Sequence, residues 1–345
     1  MPPGGYSNDR PSEPPLPSEA IISVTNRCDA RCTMCNIWRL EPDEQLGPED
    51  YARLPGSLRN VNITGGEPLL RRDIVEVVQA IFEAGDGPRI ILATNGFRTA
   101  RTLRTVEEIL RHVPRLGVAV SLDGDASTHD RMRGVPRAHA RAVETVHGLR
   151  ELGIEDLRLG FTATPDNVSQ LPAIHALAEG LGVELAATVA QNSEIYYTTD
   201  ANAALPAPAV EAAFGELMDR RLRSATPKAW VRAYFEAGVV RFVKTGRRTG
   251  RCHAASDFFY LAPTGEVFPC LSMARAIGSL RSQSFEVLWA SHRARRVRER
   301  VAGCGACWMV CTARTEIRRQ PLKVLSWVVR EKARAHLRHG RRPCS

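Results

Sequence analysis

No apolar run in the 345-residue chain approaches the length of a bilayer span, and no basic stretch followed by an apolar segment opens it. A membrane-crossing helix and a secretory signal are thereby excluded, and a cytoplasmic protein is the expectation. Cysteine is absent between Cys35 and Cys252. That gap speaks against a disulfide framework, since such frameworks spread their half-cystines along a short secreted chain. Acidic residues become scarce after Cys311, where the basic run from Arg314 to Arg342 meets only Glu316 and Glu331. No internal repeat stands out beyond an alternation of strand-like and helix-like segments.

What the chain does have is nine cysteines in groups: Cys28, Cys32 and Cys35, then Cys252, Cys270, Cys304, Cys307 and Cys311, with Cys344 alone near the end. Short spacings let thiolates converge on metal, so two metal sites are expected and Cys344 is read as incidental. Hydrophobic residues at 43% and charged residues at 25% are ordinary for a globular enzyme with a sizeable core.

Apolar runs bounded by turns predict strands over residues 20–25, 60–64, 89–94, 116–122, 157–163 and 183–189. Helical spacing predicts helices over 73–84, 102–112, 138–152 and 171–181. Strand–helix alternation implies a parallel sheet with right-handed crossovers. Six units are too few for a closed eight-stranded barrel, so an open, partial (β/α)6 barrel is expected, with the chemistry at the carboxyl ends of its strands. Two more helices are predicted over 209–224 and 228–245. A basic amphipathic helix is predicted over 321–339, with Leu322, Leu325, Val328 and Val329 on or near one face.

The first group, Thr25-Asn26-Arg27-Cys28-Asp29-Ala30-Arg31-Cys32-Thr33-Met34-Cys35, follows directly on the first predicted strand. Three thiolates at this spacing suit three irons of a cubane and leave the fourth open, as a catalytic cluster requires. Structural zinc would want a fourth ligand, and none is nearby. C-x3-C-x2-C after the first strand of a β/α series resembles the radical S-adenosylmethionine (SAM) superfamily. Thr64-Gly65-Gly66-Glu67-Pro68 is similar to that family's GGEP motif. Thr94-Asn95-Gly96 and Ser121-Leu122-Asp123-Gly124 end the third and fourth strands, where similar enzymes make polar contacts to SAM.

The resemblance implies that Cys28, Cys32 and Cys35 hold a SAM-cleaving [4Fe–4S] cluster. It also implies SAM contacts from Met34, Gly65, Gly66, Glu67, Asn95 and Ser121, the glycines letting backbone approach the methionyl amino group. For Asn95 and Ser121 strand-end capping is the plain alternative.

Cys252, Gly265 and Cys270 form C-x12-G-x4-C, with a short hairpin over 261–270, and Cys304 and Cys307 form C-x2-C. This resembles a SPASM/twitch-type extension carrying an auxiliary [4Fe–4S] cluster on Cys252, Cys270, Cys304 and Cys307, with Cys311 able to replace either of the last two. A four-cysteine zinc site is also compatible with the spacing. The organisation expected is a flexible leader (1–18), a radical SAM partial barrel (19–200), a helical linker (201–250), an auxiliary cluster domain (251–315) and a basic tail (316–345).

The resemblance implies reductive cleavage of SAM and hydrogen abstraction from a substrate, with a flavodoxin- or ferredoxin-type electron donor. Alcohol oxidation or epimerisation of a sugar, cyclitol or related small molecule is the first reading. Modification of a ribosomal peptide or of a lipid-linked substrate are the alternatives. Sulfatase maturation is disfavoured by Leu271, where those enzymes carry an Asp. Asp257 is a candidate base, Glu194, Tyr196 and Tyr197 are further polar candidates, and Cys311, if not a ligand, is a candidate hydrogen donor. The basic helix with Trp327 is expected to rest on an anionic membrane surface, and no specific nucleic-acid partner is predicted.

Overall fold

The structure, a computed structural model, describes residues 15–41 and 45–339. Strands β1 (Glu19–Ser23), β2 (Asn60–Thr64), β3 (Arg89–Thr94), β4 (Gly117–Ser121), β5 (Leu157–Ala163) and β6 (Glu184–Val189) pair in parallel in chain order. Between them run α1 (Pro48–Tyr51), α2 (Ile74–Ala84), α3 (Thr99–Leu110), α4 (Ala126–Arg133), α5 (Ala138–Glu151) and α6 (Leu171–Gly180). The alternation behind this layout is plain in β5. Leu157, Leu159, Phe161 and Ala163 are buried, while Arg158, Gly160 and Thr162 between them are half-buried on the opposite face.

The chain continues through α7 (Ala207–Arg223) and α8 (Pro227–Thr245) into β7 (Phe258–Leu261), β8 (Glu266–Phe268) and β9 (Gly278–Ser279). It ends in α9 (Phe285–Ala290), α10 (His292–Ala302), α11 (Val310–Arg319) and α12 (Pro321–His339). β7 pairs in parallel with β1, and β8 and β9 follow antiparallel, giving one sheet in the order β6-β5-β4-β3-β2-β1-β7-β8-β9. The sheet is not closed, as a partial barrel requires. The later hairpin is an extension of the barrel's own sheet, a junction that spacing in the sequence does not reveal. β1 is consequently buried along its whole length.

Three expectations need revision. The described end of the leader is packed: Ser18 and Glu19 backbone N–H groups donate to the Asp257 carbonyl, and the Trp289 indole donates to the Pro15 carbonyl at 3.0 Å. Residues 1–14 of the expected leader lie outside the described residues. The two helices expected in the linker form as α7 and α8, and what changes is their role, since they pack together and are tied to β6 by Arg221 and Arg232, which both donate to the Leu185 carbonyl. Helix α4 was not expected at all. Among the described residues no helix is long and apolar enough to cross a membrane; Cys344 lies outside them.

Candidate active site

The cysteine loop leaves β1 and lies across the carboxyl ends of β2, β3 and β4. Gly66 N–H donates to the Thr25 carbonyl and Glu67 N–H to that of Arg27, both at 2.8 Å. A Cβ on Gly65 would collide with the Thr25 carbonyl and one on Gly66 with that of Arg27. The two glycines therefore make room for the cysteine loop itself, a close approach within the protein where the sequence suggested an approach to ligand. Arg31 and Thr33 N–H donate to the Arg133 and Met132 carbonyls at the end of α4, and Asn36 N–H to the Tyr197 carbonyl, each at 2.8 Å. The Met132 and Arg133 carbonyls are groups that the end of α4 leaves without internal partners.

Glu67 sits in the apolar interior, and its carboxylate accepts from Thr94 Oγ1 (2.9 Å), Asn95 N–H (2.7 Å) and Leu69 N–H (3.2 Å). Burial pushes its pKa up to about 7, against the pull of those donors. Its side chain straps the end of β2 to that of β3. Asn95 is likewise engaged within the protein: its amide donates to Asp29 at 2.7 Å and its oxygen accepts from Phe97 N–H at 3.0 Å. The capping alternative thus describes what the Asn95 side chain does here. Met34 is buried, and its carbonyl accepts from Asn202 at 3.1 Å. Ser121 is the last residue of β4 and half-buried.

Two arginines that sequence reasoning missed hold this arrangement. Buried Arg71 donates to the Val24 carbonyl (2.7 Å) and the Leu46 carbonyl (2.9 Å) while paired with Asp73. Arg133, at the end of α4, pairs with fully buried Asp123 at 2.5 Å and reaches Cys32 Sγ at 3.7 Å. Asp123, which accepts also from Thr162 N–H at 2.9 Å, thereby fixes α4 against β4 and β5. Burial raises the Cys28 thiol well above its usual range and Cys35 to about 11. Without a bound cationic centre these thiols stay protonated; with one they become the soft thiolate donors that iron–sulfur clusters select.

At the second group, the β7–β8 hairpin brings Cys270 near Cys252, the segment between α10 and α11 brings in Cys304 and Cys307, and the first turn of α11 brings in Cys311. Burial raises Cys270 to about 12 and Cys307 to about 11, each raised further by neighbouring cysteines. Cys311 is raised well above its usual range, first by burial and then by Cys307, Cys270 and Cys252. Burial raises Cys252 as well, Arg248 opposes the rise at both Cys252 and Cys307, and Arg248 Nε and Nη1 are buried without a partner. A buried guanidinium beside Cys252 and Cys307, with Nη2 donating to the Arg251 and Thr312 carbonyls and its other two nitrogens unpartnered, suits an anionic, thiolate-bound group, so the donor set fits an iron–sulfur cluster.

Tyr196 and Tyr197 stand between the two groups. Tyr196 shares a 2.6 Å hydrogen bond with Thr64 Oγ1 and packs edge-on against Tyr197 and Tyr260. Burial raises the Tyr197 hydroxyl, and charge on Cys35, Cys311 and Cys307 raises it further, so it lies within reach of both groups. Glu194 is exposed on the same loop. Asp257 corrects the sequence reading: it precedes β7 at the opposite, amino end of the sheet, where it binds Arg319 through both carboxylate oxygens at 2.7 and 2.8 Å. It is too far round the fold to serve as a base for chemistry beside the cysteine loop.

Comparison with known proteins agrees with this geometry. The radical SAM superfamily profile matches residues 22–174, and SPASM, an iron–sulfur cluster-binding domain, matches residues 252–311. The chain belongs to the radical SAM superfamily and carries a SPASM domain; its cofactors are SAM, a SAM-cleaving cluster and an auxiliary cluster.

The AdoMet-dependent heme synthase of Nitratidesulfovibrio vulgaris is 28% identical over 318 residues, covering 82% of this chain and 83% of that protein. The GTP 3′,8-cyclase of Rhizobium leguminosarum bv. trifolii is 30% identical over 177 residues, 48% of this chain and 49% of that protein. Among solved structures, Streptococcus suis SuiB bound to precursor peptide SuiA superposes with a TM-score of 0.63 at 17% identity, covering 84% of this chain and 67% of that one. At that identity the likeness is one of fold.

Proposed function

We propose that Cys28, Cys32 and Cys35 hold the SAM-cleaving cluster, that Cys252, Cys270, Cys307 and Cys311 hold the auxiliary one, and that a small organic substrate is oxidised between them. The single observation that carries this reading is the loop from Ser193 to Thr199, whose Tyr197 carbonyl accepts from Asn36 N–H beside Cys35 and whose Ser193 hydroxyl donates to the Leu271 carbonyl beside Cys270. With cluster and SAM bound, the first site supplies reductive cleavage of the sulfonium to methionine and a 5′-deoxyadenosyl radical.

The protein's own part is positional. Gly65 and Gly66 seat the cysteine loop, Asn95 with Glu67 keeps the strand ends in register, and Met34 and Ser121 are assigned to SAM on their place in the resembled motifs. Tyr196 and Tyr197 wall the space between the sites and exclude water from a radical. Oxidation is the reading adopted because a second cluster site beside the substrate would supply the electron acceptor that oxidation needs and epimerisation does not. The sugar or cyclitol expected from the sequence draws no support from the relatives, since one that covers most of the chain bears the name of a heme synthase. The substrate is therefore left as a small molecule with an abstractable C–H hydrogen, and a flavodoxin- or ferredoxin-type donor reduces the first site.

The test is iron and sulfide content of anaerobically reconstituted protein, beside Cys28→Ala/Cys32→Ala/Cys35→Ala, with 5′-deoxyadenosine assayed after dithionite and SAM. Two cubanes predict about eight irons in the wild type and about four in the variant, with deoxyadenosine from the wild type alone. Deoxyadenosine from the variant, or no iron beyond about four in the wild type, would sink the two-site reading.

A further inference from the structure

Helix α12 presents two apolar faces, and the fold uses one of them. Val324, Val328 and Ala335 are buried against the α7–α8 hairpin. Trp327 packs edge-on against Tyr234, and Lys332 donates to the Leu222 and Ser224 carbonyls at 2.9 and 3.0 Å while lying over the Trp230 ring. Val328 and Trp327, expected on the outer face, thus turn inward and fix the helix in place.

The other face is open. Leu322 is 81% exposed, Leu325 57%, Val329 62% and Leu337 68%. At 100° per residue these positions, with Ala333 among them, fall on one stripe about a third of the helix circumference wide. Among the described residues they are four of the nine large hydrophobic side chains left exposed, so the apolar surface is concentrated here. Isolated exposed apolar residues need no explanation, but a continuous stripe on a fixed helix does.

Charge identifies what covers it. Exposed Lys323, Arg330 and Arg334 follow one another along one border of the stripe. The one acid of α12, Glu331, is on the packed side, its side chain 19% exposed and paired to Arg330 and Arg334. A second copy of this helix would set cations against a face with no exposed acid to receive them. An anionic lipid surface satisfies both features, the stripe entering the acyl boundary and the cations meeting headgroup phosphates.

We propose that α12 docks the enzyme on an anionic membrane surface through Leu322, Leu325, Val329 and Leu337, with Lys323, Arg330 and Arg334 on the headgroups. The helix lies in the surface plane and does not cross it. Its placement is independent of the cluster chemistry, so SAM cleavage does not depend on docking.

The experiment is co-sedimentation of the reconstituted full chain with vesicles of phosphatidylglycerol and phosphatidylcholine in equal parts, and with phosphatidylcholine alone. Wild type is expected with the anionic vesicles and not with the neutral ones, and high salt should release it. Val329→Asp, at an exposed position, should abolish binding while leaving deoxyadenosine formation intact. Arg330→Gln/Arg334→Gln should weaken binding about five-fold per charge removed. No sedimentation with anionic vesicles, or equal sedimentation of wild type and Val329→Asp, overturns the proposal. So does a dimer in sedimentation velocity that Val329→Asp dissolves without any lipid binding, which would assign the stripe to a second copy.

Discussion

The two cysteine groups solve the same problem in opposite ways. The first puts three thiols within eight residues on one loop, and the fold's task is to hold that loop still: Gly66, Arg71 and Arg133 each tie it to a different strand end or helix. The second draws thiols from Cys252 to Cys311, carried by a strand hairpin, a connecting segment and the first turn of α11. Here the fold creates the site by bringing separate elements together. Ligand identity is accordingly visible in spacing at the first group, and only in three dimensions at the second.

The largest expected effect tests that difference at the second group. Both Cys304 and Cys311 neighbour Cys252 and Cys307; the spacing favours Cys304, whereas the added neighbour Cys270 favours Cys311. Cys311→Ser should therefore remove the whole auxiliary cluster, about four irons of eight, while Cys304→Ser keeps both clusters. Iron analysis with electron paramagnetic resonance of the reduced protein reads the outcome directly. The reverse result would return the ligand role to Cys304.

A smaller effect is expected at the first group, where the support can be removed without touching a thiol. Arg133→Met leaves Asp123 charged and buried with no cation, and breaking a buried pair in this way costs about 3–5 kcal/mol. Urea unfolding followed by circular dichroism under anaerobic conditions should show the loss, and adding Asp123→Asn should recover a large part of it. If the single variant unfolds like wild type, α4 is not what holds the cysteine loop.

The reach of the sequence follows the same division. The six barrel strands and their main crossover helices were readable because apolar residues repeat at strand or helix spacing, as in β5. α4 was not, because Thr128, His129 and Met132 are its buried residues and make no apolar stripe. Its signals were local: Asp125 accepts from Thr128 N–H as the N-cap, and left-handed Gly134 ends the helix. Arg71 and Arg133 were unreadable for a physical reason, since the contacts by which each holds the cysteine loop, Val24 and Leu46 for Arg71 and Cys32 for Arg133, are far away in sequence although their carboxylate partners are near. The place of β7 beside β1 was hidden likewise, because the register that puts Phe258 opposite Glu19 spans the whole barrel.

The smallest expected effect belongs to Asp257, and it bears on how chemistry is inferred from nearness in sequence. Asp257 lies five residues after Cys252, which made it look like a base beside the auxiliary site. In the fold those five residues carry the chain to the amino end of β7, next to the start of β1, where the Asp257 carbonyl receives Ser18 and Glu19 N–H. Its carboxylate meets Arg319, whose side chain is 56% exposed, and an ion pair so open to solvent is worth about 1 kcal/mol or less. Asp257→Asn should therefore lower stability by no more than about 1 kcal/mol and leave deoxyadenosine formation and substrate turnover unchanged. A large fall in turnover with SAM cleavage intact would put the base back at Asp257 and would mean that the two ends of the sheet share one site.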